Sequence, residues 1–190
     1  MKKLTHCRIV PKYIFNAGLL AVCLSASTAY AEKFSIQSDS FKDGQKIPVR
    51  HAGTEQQCGG GSGVSPHVRW SHLPAGTASL AIFLTDPDGQ KGTGTSHWVV
   101  YNIPPTINQL NEGLEGQQEG SYTVGVNTMG HTAYRGLCAQ PQENPHHYTL
   151  TVVATTIPPG ELPAGLNREA LLEKLKGRSL LGQSIVGLYR

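Results

Sequence analysis

Aspartate and glutamate are missing from the first 31 residues, and this part of the sequence also lacks an apolar run long enough to span a membrane. Four basic residues precede a short apolar stretch that Asn16 interrupts, and small residues stand at Ala29 and Ala31. A basic start, a short apolar core and small residues before the cleavage point are typical of a secretory signal peptide. The pattern predicts cleavage after Ala31.

A lipid anchor at Cys23 is the alternative. Val22 fits poorly directly before a lipidated cysteine, which favours cleavage after Ala31. We therefore expect a periplasmic or secreted protein. Its mature part, residues 32–190, is long enough for a single domain with its own core, and we expect no transmembrane segment in it.

The mature part also lacks a cluster of lysine and arginine. All 13 acidic residues of the chain follow residue 31, whereas 4 of the 16 basic residues precede it. The predicted mature domain thus has 12 basic residues against 13 acidic ones and is nearly neutral. This balance argues against nucleic acid as a partner.

Cysteine is scarce, since only Cys58 and Cys138 follow residue 31. They do not have the C-x-x-C spacing of a reactive thiol pair, and in an oxidising compartment an isolated pair most simply forms a disulfide. Closing a loop of about 80 residues would stabilise the fold by roughly 4 kcal/mol in the chain-entropy description.

What the sequence does contain is a series of short strand-like runs separated by glycine and proline turns: HVRWSHL, SLAIFLTD, HWVVYNI, YTVGVN, HYTLTVVAT and QSIVGLY. This pattern predicts a mainly β protein with an antiparallel sandwich or barrel. One short helix is expected near the C-terminus, capped by Asn167 and ended by Gly177, with its core contacts made by Leu171, Leu172 and Leu175.

Titratable residues stand at the ends of three of these runs. Because side chains alternate along a strand, His146 and Tyr148 share one face. Asp86 ends a strand whose alternate residues are apolar, and His97 opens a strand on the face of Val99 and Tyr101. Each residue alone also fits a structural role, as a turn former, a satisfied histidine or a core aromatic. If the strand ends meet, one small pocket is lined by Asp86, His97, His146 and Tyr148.

The motifs TDPDG, SHWVVYNIPP, GVNTMGHTAYRGLC and NPHHYTLTVVA occur in the order seen in the phosphatidylethanolamine-binding protein (PEBP) family. The chain resembles its bacterial Raf kinase inhibitor-like branch over nearly all of residues 32–190. The resemblance implies an antiparallel β-sandwich with a pocket for phosphate, phosphorylated headgroups or similar anions. It assigns the pocket to the same four residues, with backbone from the loop at Gly136, and it implies that a Cys58–Cys138 bridge fixes the pocket mouth.

The sequence departs from the family pattern in two loops. Gly63 stands where the family commonly has Asp or Asn, two positions ahead of the serine of an S-P pair. The family's C-P-P is replaced by Cys138, Ala139, Gln140 and Pro141. Both departures lie near the expected pocket mouth, so they affect the expected ligand preference more than the fold.

Three functions follow as hypotheses. The leading one is an exported protein that binds a small phosphorylated or other anionic ligand, with a regulatory or inhibitory role and with no metal or other cofactor. The second is a phosphoester hydrolase or a metal-dependent enzyme that uses the same aspartate and histidines. GQSIVG near the C-terminus does not match a G-x-S-x-G nucleophile elbow. The third is a protein-interaction module that acts on a host protein or pairs with itself as a homodimer.

Overall fold

The computed structural model describes residues 32–114 and 122–190. The predicted signal peptide, its cleavage after Ala31 and the alternative anchor at Cys23 lie outside the described residues. Across those residues, no helix has the length and the apolar content needed to cross a membrane.

Nine strands form two sheets within these two described segments: β1 (Ser35–Gln37), β2 (Gln45–Lys46), β3 (Val68–Ser71), β4 (Ser79–Asp86), β5 (Thr95–Ile103), β6 (Gln109–Leu110), β7 (Thr123–Val124), β8 (His146–Thr155) and β9 (Ser179–Tyr189). The small sheet has the order β1-β3-β6 and the large sheet the order β2-β9-β8-β4-β5-β7. All strand pairs are antiparallel except β2 with β9. The predicted mainly β, antiparallel fold is confirmed.

The main core lies between the two sheets. Val68 and Trp70 of the small sheet belong to the same apolar cluster as Ile82 and Leu150 of the large one. A second cluster covers the other face of β4 and β5, where Phe83 and neighbouring residues pack against the C-terminal helix. Burial on both faces explains why β4 and β5 read as nearly continuous apolar runs.

Two α-helical segments accompany the strands in the described residues, α1 (Gly89–Gly92) after β4 and α2 (Arg168–Leu175) before β9. Two 3-10 helices, Val49–His51 and Gln56–Cys58, lie between β2 and β3. Asn167 caps α2 as predicted, since its side-chain oxygen accepts a hydrogen bond from Ala170 N–H at 2.9 Å. Leu171 and Leu175 are buried one helical turn apart. The prediction that Leu172 also contacts the core is wrong: its side chain lies off that face and is 37% exposed.

Candidate functional site

The last residue of β4 is a buried carboxylate. Asp86 is 1% exposed, and its Oδ1 accepts hydrogen bonds from the backbone N–H groups of Asp88 and Gly89 at 2.9 and 3.0 Å. An aspartate that closes a turn on its own backbone in this way is typical of a D-P-D-G sequence. The turn therefore fixes the carboxylate at the strand end with Oδ2 free for another partner.

That partner is His146, the first residue of β8. Its Nδ1–H donates to Asp86 Oδ2 at 2.8 Å. Because Nδ1 carries the hydrogen, the opposite ring atom, Nε2, holds the lone pair in the neutral imidazole. Nε2 lies 3.3 Å from Glu143 Oε2. The alternation predicted for β8 is confirmed, since His146 and Tyr148 are buried and His147 is exposed.

His97 reaches the same place by a different route. Strict alternation on β5 would put it on the face of Val99, which belongs to the second apolar cluster. The register between β4 and β5 shifts, however: Leu84 pairs with Trp98 and Thr85 with Ser96, so that His97 has no partner on β4. The expectation that His97 shares the face of Val99 and Tyr101 is therefore wrong. A β-bulge redirects a side chain in this manner, and here it turns His97 toward Tyr148.

The contacts of His97 hold its ring in one orientation. Its Nδ1–H donates to the carbonyl oxygen of Arg135 at 3.0 Å. Its Nε2 is buried, has no hydrogen-bond partner among the described residues and lies 3.9 Å from Asp86 Oδ2. The His97 and Tyr148 rings meet edge to face with centroids 5.3 Å apart. An unpartnered Nε2 in the centre of a polar cluster is a site where a ligand atom can bind.

The phenol of Tyr148 completes the set, which we call the strand-end cluster: Asp86, His97, His146 and Tyr148. Tyr148 has no exposed surface, and its hydroxyl oxygen accepts a hydrogen bond from Cys138 N–H at 3.2 Å. Burial, and then the nearby Asp86 carboxylate, raise the pKa of Tyr148 well above its ordinary value. The phenol therefore keeps its proton at physiological pH.

Charge in the strand-end cluster is fixed by Asp86. Burial alone raises the pKa of this carboxyl, but the side chains of His97 and His146 lower it more strongly, so the net pKa lies below the ordinary value. Asp86 is therefore ionised near neutral pH. A carboxylate that accepts the Nδ1–H of a histidine fixes the tautomer and the orientation of the imidazole.

The loop at Gly136 forms the wall opposite the strand ends. A Cβ on Gly136 would overlap the backbone of Gly53, so only glycine allows these two loops to approach so closely. The backbone groups that contact the strand-end cluster belong to its neighbours, the Arg135 carbonyl and the Cys138 N–H. The loop thus contacts the cluster through residues on either side of Gly136, and the use of its backbone in ligand binding stays a prediction.

Cys58 and Cys138 form a disulfide, as predicted. The bridge ties a 3-10 helix, Gln56–Cys58, to the loop whose Cys138 N–H reaches Tyr148. Tyr189 adds a second connection, because its hydroxyl donates to the Cys58 carbonyl at 2.7 Å. The covalent link therefore holds the wall of the strand-end cluster.

Comparison with known proteins decides the family. A family model described as phosphatidylethanolamine-binding protein matches residues 37–190. The chain belongs to this family. A UPF0098 protein of Aquifex aeolicus is 36% identical over 174 residues, which make up 91% of this chain and 98% of the relative.

Solved structures of the PEBP family agree with the fold. YbcL of Escherichia coli, described as a new member of the mammalian PEBP family, superposes with a TM-score of 0.76 at 26% identity, covering 84% of this chain and 99% of YbcL. A homologue from Chlamydia trachomatis, CT736, gives a TM-score of 0.70 at 27% identity over 83% of this chain and 97% of its own.

The two departures from the PEBP pattern have definite places in the fold. Gly63 has a left-handed backbone with φ of 64°, and it lines a cavity of about 310 Å³ together with Gly136 and Cys138. Gln140 uses its backbone N–H to bind the Glu143 carboxylate at 2.7 Å. Both positions are therefore near the loop wall, as expected from the sequence.

Sequence reasoning missed two contributors to the site. Glu143 is one of them, and its position three residues before His146 is the feature of the sequence that could have indicated a contact with that histidine. His51 is fully buried behind the Gly136 loop, where its carbonyl accepts hydrogen bonds from the Tyr134 hydroxyl and Leu137 N–H. The sequence around His51 contains no motif that indicates a position next to the site. In the two described segments, no group of three or more His, Cys, Asp or Glu side chains is arranged to hold a metal ion.

Proposed function

We propose that this chain is an exported, periplasmic or secreted protein that binds a small phosphorylated or other anionic ligand at the strand-end cluster. The observation that carries the proposal is the paired arrangement of His97 and His146. Each ring donates from Nδ1 to a protein oxygen, and both Nε2 atoms belong to the same buried cluster. His97 Nε2 has no hydrogen-bond partner among the described residues, and His146 Nε2 meets only the partly exposed Glu143 carboxylate. Two imidazoles fixed in this way are suited to the oxygens of one small anion.

The chemistry of phosphate fits these nitrogen atoms in either protonation state. A protonated imidazole donates from Nε2 to a phosphate oxygen, and a neutral one accepts the P–OH hydrogen of a monohydrogen phosphate. Asp86, which would repel an anion, already has its oxygens engaged by His146 and by the backbone of its own turn. No lysine or arginine side chain belongs to the four-residue cluster, so we expect modest affinity.

Burial limits the size of the ligand. His97 and His146 are 2% and 7% exposed. A bulky group would have to displace the loop wall, whereas a phosphate or a headgroup phosphate needs room for only a few atoms. The family name adds support for phosphorylated headgroups, and phosphoethanolamine is therefore a suitable probe beside inorganic phosphate.

Calorimetry and thermal unfolding of the purified protein with phosphate and phosphoethanolamine test this proposal. We expect saturable binding and stabilisation in the wild type, and loss of both in a protein carrying His97→Ala and His146→Ala. His147→Ala is the matched control, because this neighbouring histidine points away and its side chain is 57% exposed. Equal binding by the double variant would contradict the proposal.

A phosphoester hydrolase is the second candidate, favoured by the 2.8 Å contact between Asp86 and His146. A buried carboxylate on Nδ1 leaves Nε2 as a general base, as in hydrolytic Asp–His pairs. Turnover of p-nitrophenyl phosphate that disappears in Asp86→Asn and His146→Ala would support this function. Binding of phosphate without turnover would support the binding function and contradict the hydrolase. A regulatory role and self-pairing stay predictions.

A further inference from the structure

The mouth of the strand-end cluster contains an anion of the chain's own. Glu143 Oε2 lies 3.3 Å from His146 Nε2, the ring atom that points away from Asp86. The Glu143 side chain is 40% exposed, whereas that of His146 is 9% exposed. A carboxylate oxygen therefore stands between solvent and the imidazole nitrogen that the proposed ligand would bind.

Glu143 is held there by a closed turn of residues 140–143, here called the acidic turn. Glu143 N–H donates to the Gln140 carbonyl at 2.9 Å, and Gln140 N–H donates to Glu143 Oε2 at 2.7 Å. The acidic turn starts two residues after the disulfide-bonded Cys138, and the Arg190 guanidinium donates to the Glu143 carbonyl at 3.4 Å. These contacts fix the glutamate backbone and one carboxylate oxygen at the same time.

A departure noted in the sequence supplies one of these contacts. Gln140 takes the place of the second proline in the C-P-P pattern that the resemblance leads one to expect. Proline has no backbone N–H and could not donate to the carboxylate. Gln140 thus provides an N–H donor that holds the Glu143 carboxylate next to His146. The proposed function does not account for this contact.

We propose that Glu143 is an internal anion that an incoming ligand must displace from His146, and that it thereby determines the affinity of the strand-end cluster. The inference rests on the proposed anion-binding function. Because two anions next to one imidazole repel each other, a ligand anion and the Glu143 carboxylate compete for Nε2. The acidic turn moves aside when the ligand binds, and the site of the wild-type protein is accordingly weaker than its histidines alone would make it.

Calorimetry with inorganic phosphate on three proteins tests the competition: wild type, Glu143→Gln and Glu173→Gln. Glutamine keeps the size of the side chain and removes its charge, so Glu143→Gln is expected to bind phosphate about tenfold more tightly. Glu173→Gln makes the same charge change on the exposed surface of α2, where Glu173 pairs with Lys176, and should bind like the wild type. Equal affinities in all three proteins would overturn the inference while leaving anion binding intact.

A ligand-free measurement separates the inference from the proposed function. The ring ¹⁵N signals of His146 should move in Glu143→Gln and stay in place in Glu173→Gln, because only the former removes the carboxylate from Nε2. Unchanged His146 signals would overturn the contact whether or not phosphate binds. If the signals move but none of the three proteins binds phosphate, the anion-binding function fails and the competition fails with it.

A third variant tests the acidic turn itself. Gln140→Pro removes the N–H that holds Glu143 Oε2 and leaves the charge in place. We expect phosphate affinity to rise by about threefold, less than in Glu143→Gln, because the carboxylate is loosened rather than removed. Weaker binding in a folded Gln140→Pro protein would mean that the acidic turn assists the ligand, and this would overturn the inference.

Discussion

Helix α2 and the strand-end cluster are both held by hydrogen bonds, but over very different distances along the chain. The cap of α2 joins residues three apart, Asn167 and Ala170. In the cluster, His146 reaches Asp86 60 residues away and His97 reaches Arg135 38 residues away. The helix can therefore form from local rules, whereas the cluster exists only when β4, β5, β8 and the Gly136 loop are all in place.

This difference predicts how substitutions behave. A change in the cap of α2 removes a local contact and should alter stability alone. A change in the strand-end cluster removes a long-range contact and should alter stability and ligand binding together. Substitutions at four places, from the largest expected effect to the smallest, test whether the two regions are as separate as this comparison implies.

Removal of the disulfide should have the largest effect. We expect a protein with Cys58→Ala and Cys138→Ala to lose roughly 4 kcal/mol of unfolding free energy, because the unfolded chain regains the freedom of the loop. Phosphate affinity should fall as well, since without the bridge the loop that carries the backbone N–H of residue 138 is held less firmly against Tyr148. Urea denaturation and calorimetry measure the two effects. Unchanged binding in a folded variant would show that the loop wall does not need the bridge.

Substitution of Asp86 should rank second. Asp86→Ala leaves two backbone N–H groups and His146 Nδ1–H without their acceptor, for an expected loss of about 3 kcal/mol. Asp88→Ala is the control, because Asp88 lies at the surface and pairs with the exposed His147; its loss should stay below about 1 kcal/mol. Similar losses in the two variants would contradict a central role of Asp86.

The pH dependence of the stability difference between wild type and Asp86→Ala shows whether folding stabilises the charged form of Asp86. The pKa of Asp86 is lowered in the folded protein, so its contribution to stability is complete above the unfolded value of about 3.8 and is lost as the pH falls through the lower folded value. The stability difference between wild type and Asp86→Ala should therefore shrink in acid. A difference that grows below pH 4 would mean that the carboxylate is not stabilised by folding.

The comparison also explains what the sequence could predict. The long strands β4, β5 and β8 were foreseeable because each carries enough apolar residues to show its pattern, and the same alternation placed His146 and Tyr148 on one face. Strands of two residues, such as β2 (Gln45–Lys46), are too short to show a period. The helix cap was foreseeable because it is local.

The remaining parts of the site depend on contacts between distant segments. The position of His97 follows from a β-bulge, which shifts alternation by one residue and leaves no mark in the local sequence. The Arg135 carbonyl and Cys138 N–H are backbone groups, so residue identity does not encode their use. Glu143 becomes informative only when its turn is known to fold back onto His146.

Substitution of His51, which is fully buried behind the Gly136 loop, should rank third. Burial lowers the pKa of His51 from its ordinary 6.5, although the Val64 carbonyl and Glu112 act in the opposite direction. The contribution of His51 to the free energy of unfolding is therefore complete above pH 6.5. It is lost as the pH falls from 6.5 toward the lower pKa that His51 has in the folded protein. His51→Gln should be less stable than wild type by about 1 kcal/mol at pH 7.5, with a smaller difference at pH 5.

Urea denaturation of both proteins at several pH values between 5 and 7.5 measures this effect. The other histidines contribute equally to the pH dependence of both proteins when their surroundings are unchanged, so their contributions cancel in the difference between wild type and His51→Gln. A stability difference that stays constant over this range would show that His51 does not titrate differently in the folded and unfolded states. The wall behind the strand-end cluster would then lack the acid sensitivity inferred from its burial.

The smallest effect is expected at the cap of α2, and it is the sharpest test of the separation between the two regions. Asn167→Ala removes the acceptor for Ala170 N–H and should cost about 0.5 kcal/mol of stability, because this cap lies at the exposed surface. Phosphate affinity should stay within about twofold of wild type, because the cap contacts none of the four cluster residues. A larger loss of affinity would mean that α2, packed on the far face of β4 and β5, transmits its stability to the strand ends. In that case the long-range contacts of the cluster would include the second apolar core as well.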